Sequence, residues 1–182
     1  AVTRVNRFFG TTWTEENCRY PVRKTQENRD DRTRPANIII TCTDNTRSRQ
    51  ELWRFLKKYR ETSVNNERAV YYWMDFGNAQ TTGQVFIGTV RNKIRQPASK
   101  EFMPVPEMND ITEEVNYSTI EEKDSGASCS LAEALERQDL YINSILAQVG
   151  CDILWKMFKE GRILYRGAYI NLDTLRVNPI PV

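Results

Sequence analysis

The sequence predicts an α/β protein: a mixed sheet in doubly wound order, truncated at the N-terminus, with a long helix in its C-terminal half. Three observations carry this. Asn37–Cys42 is a continuous, mostly β-branched run, the pattern of a parallel strand buried on both faces. A helical stretch and two further apolar runs follow it, which is the β-α-β order of doubly wound sheets. Residues 130–160 then hold the longest 3.6-residue apolar rhythm in the chain.

The elements follow in order. Ala1, Val2, Val5 and Phe9 share one helical face, and Gly10 suits the position after a helix end. No capping residue and no initiator Met precede Ala1, so the chain reads as a piece of a longer protein. Asn17–Val22 suits a short edge strand, because Pro21 removes a ladder donor. Residues 23–35 are almost entirely polar or charged, with Glu27, Asp30 and Asp31 interrupting the bases. That favours a solvated loop over a basic binding patch.

After the 37–42 strand, Leu52, Phe55, Leu56 and Tyr59 mark the apolar stripe of a helix. Arg68–Phe76 and Thr82–Val90 read as the next two strands. Residues 96–127 interrupt the pattern with Pro97, Pro104, Pro106 and many acids. A connection of that length is usually functional or disordered. The helix predicted over 130–160 opens with a capping box, Ser130 and Glu133, and ends at Gly161, unless Gly150 breaks it. Two short strands near 163–172 and 175–180 close the chain. The whole, 1–182, is expected to be one partial domain.

Composition narrows the chemistry. The chain has 182 residues, 40% hydrophobic and 27% charged, with Lys+Arg 26 against Asp+Glu 24. A net charge of +2 gives no reason to expect a nucleic-acid partner. No apolar run approaches the ~20 residues of a membrane span, and no signal peptide opens the chain. The absence of histidine excludes a Ser-His-Asp triad, a Cys-His dyad and any His-ligated metal within it. Cys18, Cys42, Cys129 and Cys151 form no CxxC pair, so zinc is not expected. Four such thiols fit a reducing cytoplasm better than a disulfide framework. Cys42, inside the apolar run, is expected to be a small buried hydrophobe.

Two places carry candidate chemistry. Asp44 and Asn45 follow the 37–42 strand, at the carboxyl edge where open α/β sheets bind ligands. A carboxylate there suits a phosphate-bound Mg²⁺. Either residue also suits the N-cap of the next helix. Arg49, one turn on, reads by itself as a surface or ion-pair residue. Cys129 lies between Ser128 and Ser130 just before the capped helix. A helix N-terminus lowers a thiol's pKa, although an inert residue at the helix entrance fits the same spacing.

These segments together resemble a family. ITCTDNTRSRQEL (Ile40–Leu52) is similar to the D-x-T-D-N-x-x-x-R segment of the ThiF/MoeB/HesA-type adenylyltransferases, the relatives of ubiquitin-activating enzymes. DFGNAQTTGQVFIG (Asp75–Gly88) resembles that family's strand, Gly-Gln, strand segment, and Ser128–Met157 its thiol site and following helix. Within the family, the branch associated with the PRTRC gene set is the most similar, and the likeness covers the C-terminal two-thirds of the family pattern.

The resemblance implies a Rossmann-like sheet and ATP-dependent activation of the C-terminal carboxylate of a ubiquitin-like β-grasp protein as an acyl-adenylate. It implies that Asp44 holds Mg²⁺ with ATP, that Asn45 and Arg49 adjoin the nucleotide, and that Cys129 accepts the acyl group in members that go on to a thioester. It implies that 96–127 is the crossover loop over the substrate tail, and that the protein is a homodimer. Apolar positions off the main stripe of the long helix, Tyr141, Leu154 and Phe158, also favour a second copy as cover.

The sequence departs from the pattern too. Thr41 stands where the motif's first acid would be, and no glycine-rich ATP loop or zinc-binding CxxC pair is present. The chain alone is therefore expected to bind ATP weakly or not at all. A non-catalytic Rossmann-like interaction module is the competing reading.

Overall fold

The computed structural model describes residues 2–15, 36–62, 70–90, 94, 96–105, 107–117, 119 and 139–182, with backbone alone at 58–62. The expected strand at 17–22 and the polar loop at 23–35 lie outside these residues. The chain divides into two compact units, Ala1–Thr33 and Arg34–Val182. In the first unit, helix α1 (Val2–Phe9) ends at Gly10. Asn6 ties down the segment beyond it: its side-chain oxygen accepts from Trp13 N–H (2.9 Å), and its amide donates to the Trp13 carbonyl (2.7 Å).

The second unit is mixed α/β around one five-stranded sheet. Its elements are β1 (Ile38–Thr41), α2 (Thr46–Thr62), β2 (Tyr72–Asn78), β3 (Thr82–Thr89), α3 (Ile111–Glu114), α4 (Ile142–Lys159), β4 (Tyr165–Asn171) and β5 (Arg176–Pro181). Spatial order follows chain order. β1 and β2 are parallel, joined by α2, while β2 through β5 run antiparallel.

The pleat sorts side chains onto two faces. Trp73, Phe86 and Val90 pack with Leu52 and Leu56 of α2 and with Ile111 and Tyr117. Met74, Val85 and Ile87 point the other way, onto Ile142, Leu146 and Ile153 of α4, with Ile170. The helix α4 stays unbroken through Gly150. A Cβ at that position would come within 2.3 Å of the Phe76 ring, so the missing side chain lets helix and sheet meet.

Four expectations change. β1 is parallel as expected but is not buried on both faces: Ile40 is 50% exposed. Among the described residues β1 has a strand neighbour on one side only, so its other flank is open. Cys42 is exposed, because the strand ends at Thr41 and residue 42 lies beyond the ladder. The C-terminal helix begins at Ile142, after a turn at 139–141 held by the Asp139 carboxylate accepting from Tyr141 N–H (2.8 Å). The capping box at Ser130 and Glu133 lies outside the described residues.

The fourth change concerns 96–127. Part of this stretch, read as a functional or disordered connection, is an ordered strap packed on the sheet: Met108, Ile111 and Tyr117 are buried. Asp110 caps α3 by accepting from Thr112 N–H (2.8 Å). Gly88 allows the approach, since a Cβ there would lie 2.8 Å from the Asn109 carbonyl oxygen. The Thr89 hydroxyl accepts from Met108 N–H (2.8 Å), and buried Arg166 of β4 donates to the Asn109 carbonyl (3.1 Å) and pairs with Glu114.

Candidate functional site

The carboxyl end of β1 opens into the turn 42–45, and α2 starts at Thr46. The helix cap is Asn45: its side-chain oxygen accepts from Ser48 N–H at 2.8 Å. That satisfies one of the orphan donors of the first turn. Asp44 is exposed, and its carboxylate accepts only a 3.3 Å contact from the Asn45 amide among the described hydrogen bonds. The two residues that were interchangeable as caps in the sequence therefore have separate roles.

Of the two readings of Arg49, the ion pair holds and the surface position does not. Arg49 is 7% exposed and lies one turn behind the cap, beside Asp75 of β2, which is fully buried. The Arg49 Nε–H faces both carboxylate oxygens, at 3.1 and 2.9 Å. Its Nη2 donates to the carbonyls of Thr43, in the turn after β1, and of Phe76, within β2. Asp75 also accepts from the Thr41 hydroxyl and from Tyr117 Oη (2.8 Å). The Trp73 indole N–H donates to Thr41 Oγ1 at 2.8 Å. The Tyr117 ring faces the Arg49 guanidinium at 5.8 Å, and the Tyr117 carbonyl accepts from Gln50 (3.0 Å).

Every partner of the Asp75 carboxylate among the described residues is a donor, as a buried charge requires. Burial pushes the Asp75 carboxyl above the ordinary aspartate range, while Arg49, Thr41 and Tyr117 pull it back. Burial and then the Asp75 charge hold the Tyr117 hydroxyl far above its usual value, so it stays protonated and donating. Partial burial and then the Asp75 charge also push the Cys42 thiol up, against Arg49. Cys42 is thus accessible but is a poor thiolate.

Asp75 is the residue that sequence reasoning passed over. One signal was present: it is the single acid in the apolar run Ala69–Phe76. Thr41 and Asp75 are register partners across the β1–β2 ladder. The buried carboxylate beside Thr41 therefore comes from β2.

The structure brings Asp44, Asn45 and Arg49 to one turn and the first turn of α2. Cys129 lies outside the described residues. A single exposed carboxylate suits Mg²⁺ carried by nucleotide phosphates, which takes one or two protein carboxylates and keeps its other ligands elsewhere. Among the described residues, no three Cys, Asp or Glu side chains gather to hold a metal by themselves. A separate cleft of about 580 Å³ lies at the other end of the sheet, lined by Tyr72, Thr89, Phe102, Met108, Met157 and Arg162 among others. None of Asp44, Asn45 and Arg49 lines it. Among the described residues no helix is long and apolar enough to cross a membrane. No protein-family model matches the chain, and no curated protein matches it.

Proposed function

We propose that this chain is part of an ATP-dependent adenylyltransferase with a Rossmann-like sheet. Its substrate is the C-terminal carboxylate of a ubiquitin-like β-grasp protein, which becomes an acyl-adenylate with release of pyrophosphate. The observation that carries this reading is the division of labour at the β1–α2 turn. Asn45 caps the helix, which leaves the Asp44 carboxylate exposed at the carboxyl edge of a parallel strand pair.

In this reading Asp44 is the protein ligand of Mg²⁺ bound with ATP, and the ion supplies charge neutralisation at the phosphates. Arg49, buried against Asp75, holds the Thr43 carbonyl and so supports the turn that adjoins the nucleotide. The protein is cytoplasmic and works as a homodimer. Support for a second copy comes from α4, where Trp155 and Phe158 are exposed on one side, although Leu154 packs inward.

In the intact natural protein supplied with its β-grasp partner, Asp44→Ala abolishes ATP–pyrophosphate exchange. Unchanged exchange would reject Asp44 as the Mg²⁺ ligand, whereas no exchange in the unaltered protein would leave the chain as a non-catalytic interaction module.

Cys129 is the proposed acyl acceptor. Its thiolate attacks the acyl carbonyl carbon, a C–S bond forms, and the C–O bond to AMP breaks with AMP leaving. Cys129→Ser therefore retains ATP–pyrophosphate exchange and loses the thiol-reducible conjugate on a non-reducing gel. A conjugate that persists in the serine variant rejects this role.

A further inference from the structure

The buried Asp75 is absorbed neither by the proposed Mg²⁺ role of Asp44 nor by the apolar core. Its partners come from three separate places: Thr41 on β1, Arg49 on α2, and Tyr117 at the end of the 108–117 strap. The guanidinium that meets Asp75 also holds the Thr43 carbonyl. Thr43 immediately precedes Asp44. A continuous path of hydrogen bonds therefore runs from the strap, through one carboxylate and one guanidinium, to the turn that presents Asp44.

We infer that Asp75 and Tyr117 are positioning residues, a latch through which the docked strap sets the geometry of the Thr43–Asn45 turn.

The geometry favours transmission over simple core filling. The guanidinium faces both carboxylate oxygens, and such charge-assisted contacts fix orientation as well as distance. Arg49 spends Nε on Asp75 and Nη2 on two carbonyls, so it cannot rotate without releasing the turn. Tyr117 is held independently by its ring against Trp73 and by Gln50 on its carbonyl. The strap has a second anchor, Glu114 on Arg166, at a different strand. Its position is thus held by contacts other than Tyr117 as well. The significance for catalysis rests on the proposed role of Asp44; the mechanical link from strap to turn does not.

The test uses the full chain. Asp75→Asn leaves the Arg49 charge buried without its partner and threatens the fold itself, so Tyr117→Phe carries the experiment. It removes one hydroxyl and keeps the ring. Amide hydrogen exchange over residues 43–48 is compared with that of Ile153→Val, a core change on the opposite face, at matched distance from each melting temperature. The latch predicts exchange over 43–48 about tenfold faster in Tyr117→Phe, from the loss of a hydrogen bond to a charged group, with no selective change in Ile153→Val. Equal exchange in the two variants would overturn it, reducing Asp75 to a paired core charge. In the intact protein the same Tyr117→Phe change raises the KM for Mg-ATP. If exchange over 43–48 accelerates while ATP–pyrophosphate kinetics are indifferent to both Tyr117→Phe and Asp44→Ala, the latch stands and the nucleotide reading of Asp44 fails.

Discussion

The two faces of β2 solve different problems with neighbouring residues. Met74 and Phe76 point into an apolar layer beneath α4, where contact is by shape alone. Trp73 and Asp75 point to the α2 face, where an ion pair, two hydroxyls and an indole N–H are enclosed together. Dispersion and burial are non-directional and forgive small changes. Enclosed charges are directional, and each loses much when one partner goes. The α4 face therefore supplies bulk stability, while the α2 face specifies where the β1–α2 turn and the strap must sit.

The sharpest break in this comparison is Asp75→Asn. It keeps volume and shape but strands the Arg49 charge, at a cost of about 3–5 kcal/mol by urea denaturation. A loss no larger than that of an ordinary apolar trim would erase the distinction between the faces.

Tyr117→Phe comes next, at about 1.5–3 kcal/mol near neutral pH for a hydrogen bond to a charge. It also carries a pH signature. The folded hydroxyl's pKa is raised, so below about 10 tyrosine is protonated in both the folded and unfolded states. Above that value only the unfolded chain releases this proton, and stability falls as pH rises. Phenylalanine has no proton to lose. The gap in melting temperature between wild type and variant therefore narrows from pH about 9 to about 11. A constant gap would mean that Tyr117 is not the protonated donor described here.

Gly88→Ala probes the strap from below. The new Cβ meets the backbone of Asn109 and Ile111 at 2.8 and 3.0 Å, and neither can move without lifting the strap. Overpacking of this kind costs about 1–3 kcal/mol, read by thermal melting. The smallest expected effect is on the apolar face: Ile153→Val removes one methylene, about 0.5–1.5 kcal/mol, with the pH dependence unchanged. A larger loss there than at Gly88 would reverse the ranking of the two faces.

Much of this arrangement was legible in the residues. Periodicity located β1, α2, β2, β3, β4 and β5 to within a few positions, because each strand's apolar run and each helix's stripe are local properties. The Asp44–Asn45 turn was legible for the same reason: an Asx pair after an apolar strand run has few structural uses. The start of α4 was not, because the apolar rhythm runs back past Ile142 and only the 139–141 turn interrupts it. The strap was hidden because Met108, Ile111 and Tyr117 are isolated apolar residues among prolines and acids, with no period to betray them.

By itself the sequence determined the order and type of β1, α2, β2, β3, β4 and β5, the exclusion of histidine chemistry, and the placing of Asp44 and Asn45 after a parallel strand. Local spacing and residue chemistry suffice for those. Only the tertiary structure decided which of the two residues caps α2, that Arg49 is buried rather than wet, and that Asp75 is its counter-charge. Those outcomes depend on pairs 26 and 42 positions apart in the chain, Arg49 with Asp75 and Asp75 with Tyr117. A buried charge is tolerable only where folding brings its partners to it, and no local pattern records which partners those will be.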